Sequence, residues 1–232
     1  MNDLKNYQKK ELPLFIISNI LIFLIVHQII KIDTIDCLHN TAKIISQVFV
    51  STILSAIAFG FILVIECLFT SGFKEKLLYL FGFFGFLNLP GCTIFTEIRE
   101  KNGDNRFSYQ DVVENYPELY QNLPEDGKGR SSYENEKWYT IYSQNRDVPM
   151  IQYSQRDWLL CRDIYISTLV MIFSYVVVAI MRFVDFNYQY ILFLIFEAGI
   201  TNFGANRKAV RFAYNVIAYD VTKTQKNEKS NR

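Results

Sequence analysis

The sequence predicts an all-α integral membrane protein: four transmembrane helices, one re-entrant or interfacial segment, and a small helical cytoplasmic module. Long charge-free runs, the placement of Lys and Arg, and a Pro/Gly break inside one of the runs predict it. Of the 232 residues 50% are hydrophobic and 20% charged, values close to those of a globular protein, so it is their distribution that carries information. No formal charge falls in the 19 residues between Glu11 and Lys31, or in the 22 between Lys43 and Glu66. The same holds for 20 residues between Lys76 and Glu97 and 18 between Asp163 and Arg182. Crossing the hydrocarbon core takes about 20 apolar residues of helix.

The first span is expected at 13–30, with Pro13 in its first turn. Lys5, Lys9 and Lys10 precede it as in a signal peptide, but the apolar run is long and no small-residue cleavage site follows. It therefore reads as a retained span. The second span is expected at 44–69, the third at 164–181 and the fourth at 188–204, the last two forming an antiparallel hairpin. Trp158 and Tyr165 suit the interfacial belt at the entry to span three. Residues 77–96 are long enough to span, yet Asn88, Pro90 and Gly91 interrupt them. Basic residues near both ends place both termini in the cytoplasm, which requires an even number of crossings. Four spans with a non-crossing 77–96 satisfy this, and they locate the chain in the inner membrane.

Four regions follow: 1–96 as the N-terminal membrane region, 97–163 as the module, 164–205 as the hairpin, and 206–232 as a basic amphipathic helix and tail. The module holds 13 acids against 9 bases, whereas the tail from Asn206 holds 7 bases against 2 acids. Within the module, 97–107 reads as a polar loop and Ser108 to Asp111 as a capping box opening a short helix that Pro117 halts. Ser131 to Glu134 resembles the cap of a second helix, with Trp138, Ile141 and Tyr142 on one face. A third helix is expected to run from about Ile151 into span three. So few aliphatics are present that the module should need the membrane bundle or another copy of the chain to fold.

Functional candidates are few. Glu197, near the middle of span four, is costly in hydrocarbon and must face a partner or a wet cavity. Glu66 lies near the cytoplasmic end of span two, where it can reach water. Arg156, Arg162 and Trp138 are candidate contacts for a charged ligand or partner, Arg156 and Arg162 being followed by Asp157 and Asp163. Arg207, Lys208 and Arg211 are expected to face lipid headgroups, with Phe212, Val216 and Tyr219 on the apolar side. Gly199 and Gly204, beside Ala198 and Ala205, suit close helix packing and a homo-oligomer.

Cys37, Cys67, Cys92 and Cys161 form no metal or redox spacing, and with two histidines no metal site or cofactor is expected. Hydrolase, phosphate-loop and dinucleotide motifs are absent, so the chain is not expected to be an enzyme. The partners expected are the lipid bilayer, a second copy and a soluble protein; nucleic acid is not, since no stacking platform accompanies the basic residues. Two functions stay open: a membrane-anchored sensor or adaptor, and an oligomeric channel or membrane-disrupting effector. The plan resembles, in architecture alone, membrane effectors of bacterial stress and antiviral systems.

Overall fold

The computed structural model describes residues 4, 6–28, 41–80, 90–101, 104–125 and 127–230, and among them regular structure is entirely helical. A 3-10 turn at Asn6–Lys9 leads into α1 (Glu11–Val26), followed by α2 (Thr41–Leu68) and α3 (Ser71–Leu80). A second 3-10 turn, Pro90–Cys92, precedes α4 (Ile94–Lys101), α5 (Tyr109–Asn115), α6 (Pro117–Gln121) and α7 (Gly127–Asn145). Two long helices close the chain, α8 (Pro149–Ile180) and α9 (Tyr188–Ser230).

These elements form two compact units. The first comprises Met1–Leu78 and Leu160–Phe203, and the second Tyr79–Leu159 and Gly204–Arg232. Both α8 and α9 contribute residues to each.

In the first unit, Leu12, Ile16, Ile20 and Leu24 make one stripe of α1 at intervals of four and bury against Ile62, Val170 and Met171. Farther along α1, Phe23 packs on a second cluster of Tyr175, Tyr190 and Leu194. The opposite faces are apolar as well: Leu14 is 67% exposed, Phe173 68% and Phe196 68%. These helices are hydrophobic inside and outside, so no polar stripe marks a water-facing side.

The second unit has one core. Ile94, Phe95 and Ile98 of α4 meet Val112, Leu119, Ile141 and Ile151, and the centre is filled by Phe212, Val216, Ile217 and Val221 of α9. The apolar surface that 97–163 lacks is therefore supplied by the C-terminal part of its own chain. Trp138 stacks on Tyr142 at 5.5 Å and meets Phe212 edge-on at 5.5 Å, while its indole N–H donates to the Ala213 carbonyl at 3.2 Å. Gly91 allows a close approach here: a Cβ at that position would stand 3.0 Å from the Trp138 ring, so the ring would have to give way by a few tenths of an ångström.

Several local expectations change. Among the described residues one helix, α8, is long and apolar enough to cross a membrane, by length and composition alone. The described helix α1 has 16 residues, fewer than the roughly 20 of a typical crossing, and the span expected at 13–30 runs on into residues outside those described. In α9, Glu197 and Asn202 dilute the apolar stretch. The stretch 97–107 is not all loop: α4 runs to Lys101, because Ile94, Phe95 and Ile98 recur on one buried face. The second helix of the module starts at Gly127, so Ser131 and Ser132 lie inside it and do not cap it. Span four and the basic helix are a single element of 43 residues. The core of 77–96, at 81–89, lies outside the described residues. The capping box at Ser108 is present, with Asp111 returning the bond to the Ser108 backbone, and α8 does start upstream of Ile151.

Candidate functional site

The first unit buries a set of charges around Asp163, which has no exposed surface. Asp163 follows Arg162 in α8, and one carboxylate oxygen accepts from the Arg162 guanidinium at 3.0 Å and 3.1 Å. Lys74 of α3 donates to the same oxygen at 3.4 Å. The other oxygen accepts the Tyr7 hydroxyl at 2.7 Å and the Gln8 amide at 3.5 Å, both from the 3-10 turn before α1. Arg162 reaches a second carboxylate, Glu75, at 3.7 Å. Burial pushes the Glu75 carboxyl up from its ordinary value, against the pull of Arg162. Two cations thus meet two carboxylates, with Arg162 4% exposed and Lys74 also buried. Such a set is costly to desolvate and very sensitive to losing one member. It ties the N-terminal turn, α3 and α8 together, so Arg162 is committed to internal partners and is not presented to a ligand.

Farther along α1, Asn19 meets Glu197 of α9. Its Oε1 accepts the Asn19 side-chain amide at 3.1 Å, and the same amide group donates to the Phe15 carbonyl at 3.2 Å. Thr201, one turn on, donates to the Glu197 main-chain carbonyl at 2.8 Å. Asn202 is buried and donates to the Leu78 carbonyl at 2.9 Å. These three side chains thus bond to other groups of the same unit. Between α1, α2, α8 and α9 remains an apolar cavity of about 330 Å³, lined by Leu24, Phe61, Met171 and Tyr175 among others. Nothing is described of the Glu66 side chain. Gly199 and Gly204 have open space where a Cβ would stand, whereas Ala198 and Ala205 are buried.

In the second unit, Asp220 of α9 joins two helices. It accepts the Tyr116 hydroxyl and, at 2.7 Å, the Asn145 amide. Burial, and then the bond to Asp220, pushes the Tyr116 phenol well above its ordinary range. Gln225 donates to Asp111 at 2.9 Å, extending the α9 attachment by a turn. Glu134, fully buried in α7, accepts the Phe95 and Thr96 N–H groups at 2.9 Å and 3.2 Å and the Thr96 hydroxyl. It caps α4 from a distance, its carboxyl raised by burial against those bonds. The Tyr214 phenol is pushed up to about 12, chiefly by burial.

The basic residues of α9 are not spread on a free amphipathic helix. Phe212 and Val216, assigned to its lipid side, are buried in the core. Lys208 donates to Asp157 at 2.6 Å, and Arg156 lies 3.8 Å from the same carboxylate. Arg207 and Arg211 are exposed. Trp138 is consumed in packing α9. Sequence reasoning missed Asn19, Lys74, Tyr7 and Asp220, whose partners lie 75 or more positions away. A lone Asn in an apolar helix was the one available signal, and it pointed to Asn19. No family model, curated protein or solved structure matches this chain.

Proposed function

We propose that this chain is a multi-pass inner-membrane anchor carrying a folded cytoplasmic adaptor module. The observation that carries the reading is the opposite surfaces of the two units. Large apolar side chains of α1, α2, α8 and α9 are exposed throughout the first unit. In the second, Tyr139, Met150 and Tyr153 are the exposed large apolar residues among those described. An apolar exterior of the first kind is stable in lipid and not in water. In this reading the chain crosses four times, at 13–30, 44–69, 164–181 and 188–204, with both termini and the module inside.

Internal pairing of Glu197 with Asn19 favours a sealed bundle over an ion path. On the module, Tyr139 and Tyr153 offer aromatic anchors of the type that dominates protein interfaces. Tyr142, beside Tyr139, bonds Gln155 at 3.0 Å and braces α7 against α8 in this region. The occupant is a soluble protein. A photo-crosslinking residue at Tyr139 or Tyr153 should yield a discrete protein adduct in cells, and one at Phe173 none. A membrane-potential dye should report no change on expression. Collapse of the potential, or no adduct from either tyrosine, would overturn the reading.

A further inference from the structure

Among the buried oxygen atoms of the first unit that lack a hydrogen-bond partner are Asn19 Oδ1 and Glu197 Oε2. They belong to side chains already joined through their other ends, Asn19 Nδ2 donating to Glu197 Oε1 at 3.1 Å. Asn19 is only 2% exposed. Its amide cannot turn round, because Nδ2 also serves the Phe15 carbonyl, an acceptor that would meet Oδ1 after a flip. With both amide hydrogens committed, Asn19 has only an acceptor left to offer. An ionised Glu197 has only acceptors as well, so the pair would hold two unsatisfied oxygens and one unpaired charge.

A single proton removes all three costs. Placed on Glu197 Oε2, it cancels the charge and turns that oxygen into a donor that the unpartnered Asn19 Oδ1 can accept. The two bonds then run in opposite directions and close a ring between an amide and a carboxylic acid. We infer that Asn19 and Glu197 form a proton-binding clasp, in which one bound proton locks α1 to α9 within the first unit.

Among the described residues the surroundings offer no competing counter-charge. Thr201 is spent on the Glu197 backbone carbonyl. Tyr190, on α9 itself, is a phenol and brings no positive charge. The cations Lys74 and Arg162 are engaged with Asp163, at the level of Tyr7. Tyr7 precedes Asn19 by twelve positions, on the order of 18 Å along the axis. A carboxylate at Glu197 would be buried far from either cation.

The test uses the full chain in lipid nanodiscs with carboxyl-labelled glutamate. The infrared difference between wild type and Glu197→Gln at neutral pH should show loss of a protonated-carboxyl C=O band. Loss of a carboxylate band instead would overturn the proposal, including the case of an ionised Glu197 bridged by water. Stability supplies a second readout. Glu197→Gln keeps both a donor and an acceptor for Asn19, so its unfolding midpoint should stay within about 2 °C of wild type. Glu197→Leu and Asn19→Leu should each lower it by about 3–8 °C. Wild type should also weaken as the pH is raised, because the proton is then lost, while Glu197→Gln stays level. A Gln variant as unstable as the Leu variant, or a Leu variant matching wild type, would overturn the clasp.

Discussion

Helix α1 in the first unit and the C-terminal half of α9 in the second have similar inward faces and opposite outward ones. The first buries Leu12, Ile16, Ile20 and Leu24, and the second Phe212, Val216, Ile217 and Val221. Outward, α1 shows Leu14, Ile17, Leu21 and Ile25, whereas α9 shows Arg207 and Arg211. Cores of like chemistry therefore sit behind surfaces suited to different solvents. Polar groups are distributed accordingly. The first unit gathers its buried charges around Asp163, and the second uses carboxylates singly, Glu134 on backbone N–H groups and Asp220 on a phenol and an amide. Buried carboxylates are thus satisfied inside the fold in both units, by cations at Asp163 and by neutral donors at Glu134 and Asp220.

The hardest blow to the second unit is to remove its α9 core. Ending the chain at Arg207 deletes Phe212, Val216, Ile217 and Val221, so residues 104–159 should become open to protease in detergent. Survival of that region as a resistant fragment would show that the second unit does not rely on α9.

Asp163→Ala attacks the charge cluster of the first unit. Removing one member of a buried ionic set costs about 3–5 kcal/mol, because Lys74 and Arg162 keep their charge and lose the Asp163 carboxylate. Thermal unfolding of the purified full chain would register this, and a loss under about 1 kcal/mol would deny the cluster its structural role.

The outward faces can be compared directly with one kind of substitution. Phe173→Lys places a cation on the apolar exterior of the first unit and should cost about 2.5–3.5 kcal/mol, read as lower yield in the membrane fraction. Tyr153→Lys makes the same change on the second unit and should stay within about 0.5 kcal/mol. Equal effects would erase the contrast between the two surfaces.

Tyr116→Phe is the mildest test. It removes the donor to Asp220 and should cost about 1–1.5 kcal/mol. The folded phenol titrates above its ordinary value of 10.0, so its contribution is complete below that pH and is lost as the pH rises beyond it. Wild type should therefore lose its advantage over Tyr116→Phe in strongly alkaline buffer. A constant difference across that range would mean that the phenol does not titrate against Asp220.

Features within one helical turn were readable in advance. Ser108 and Asp111 stand three positions apart, and the capping box follows from that spacing. Trp138, Ile141 and Tyr142 share a face because helical geometry puts them there, and that face is packed. Glu134 shows the limit: its sequence neighbours suggested a local cap, while its carboxylate serves Phe95 and Thr96, 38 or more positions earlier. Arg162 and Asp163 were visible as a pair, but Lys74 and Tyr7, which complete the set, come from 89 and 156 positions away.

The sequence by itself determined the helical class, because its charge-free runs are 18 to 22 residues long, the length of a helix and several times that of a typical strand. It also determined where charge is scarce, and hence that Glu197 needs a partner. Only the tertiary structure decided that this partner is Asn19, that the C-terminal helix fills the core of the second unit, and that Arg162 faces inward. Each of those depends on which distant segments meet, and local helix periodicity carries no record of that choice.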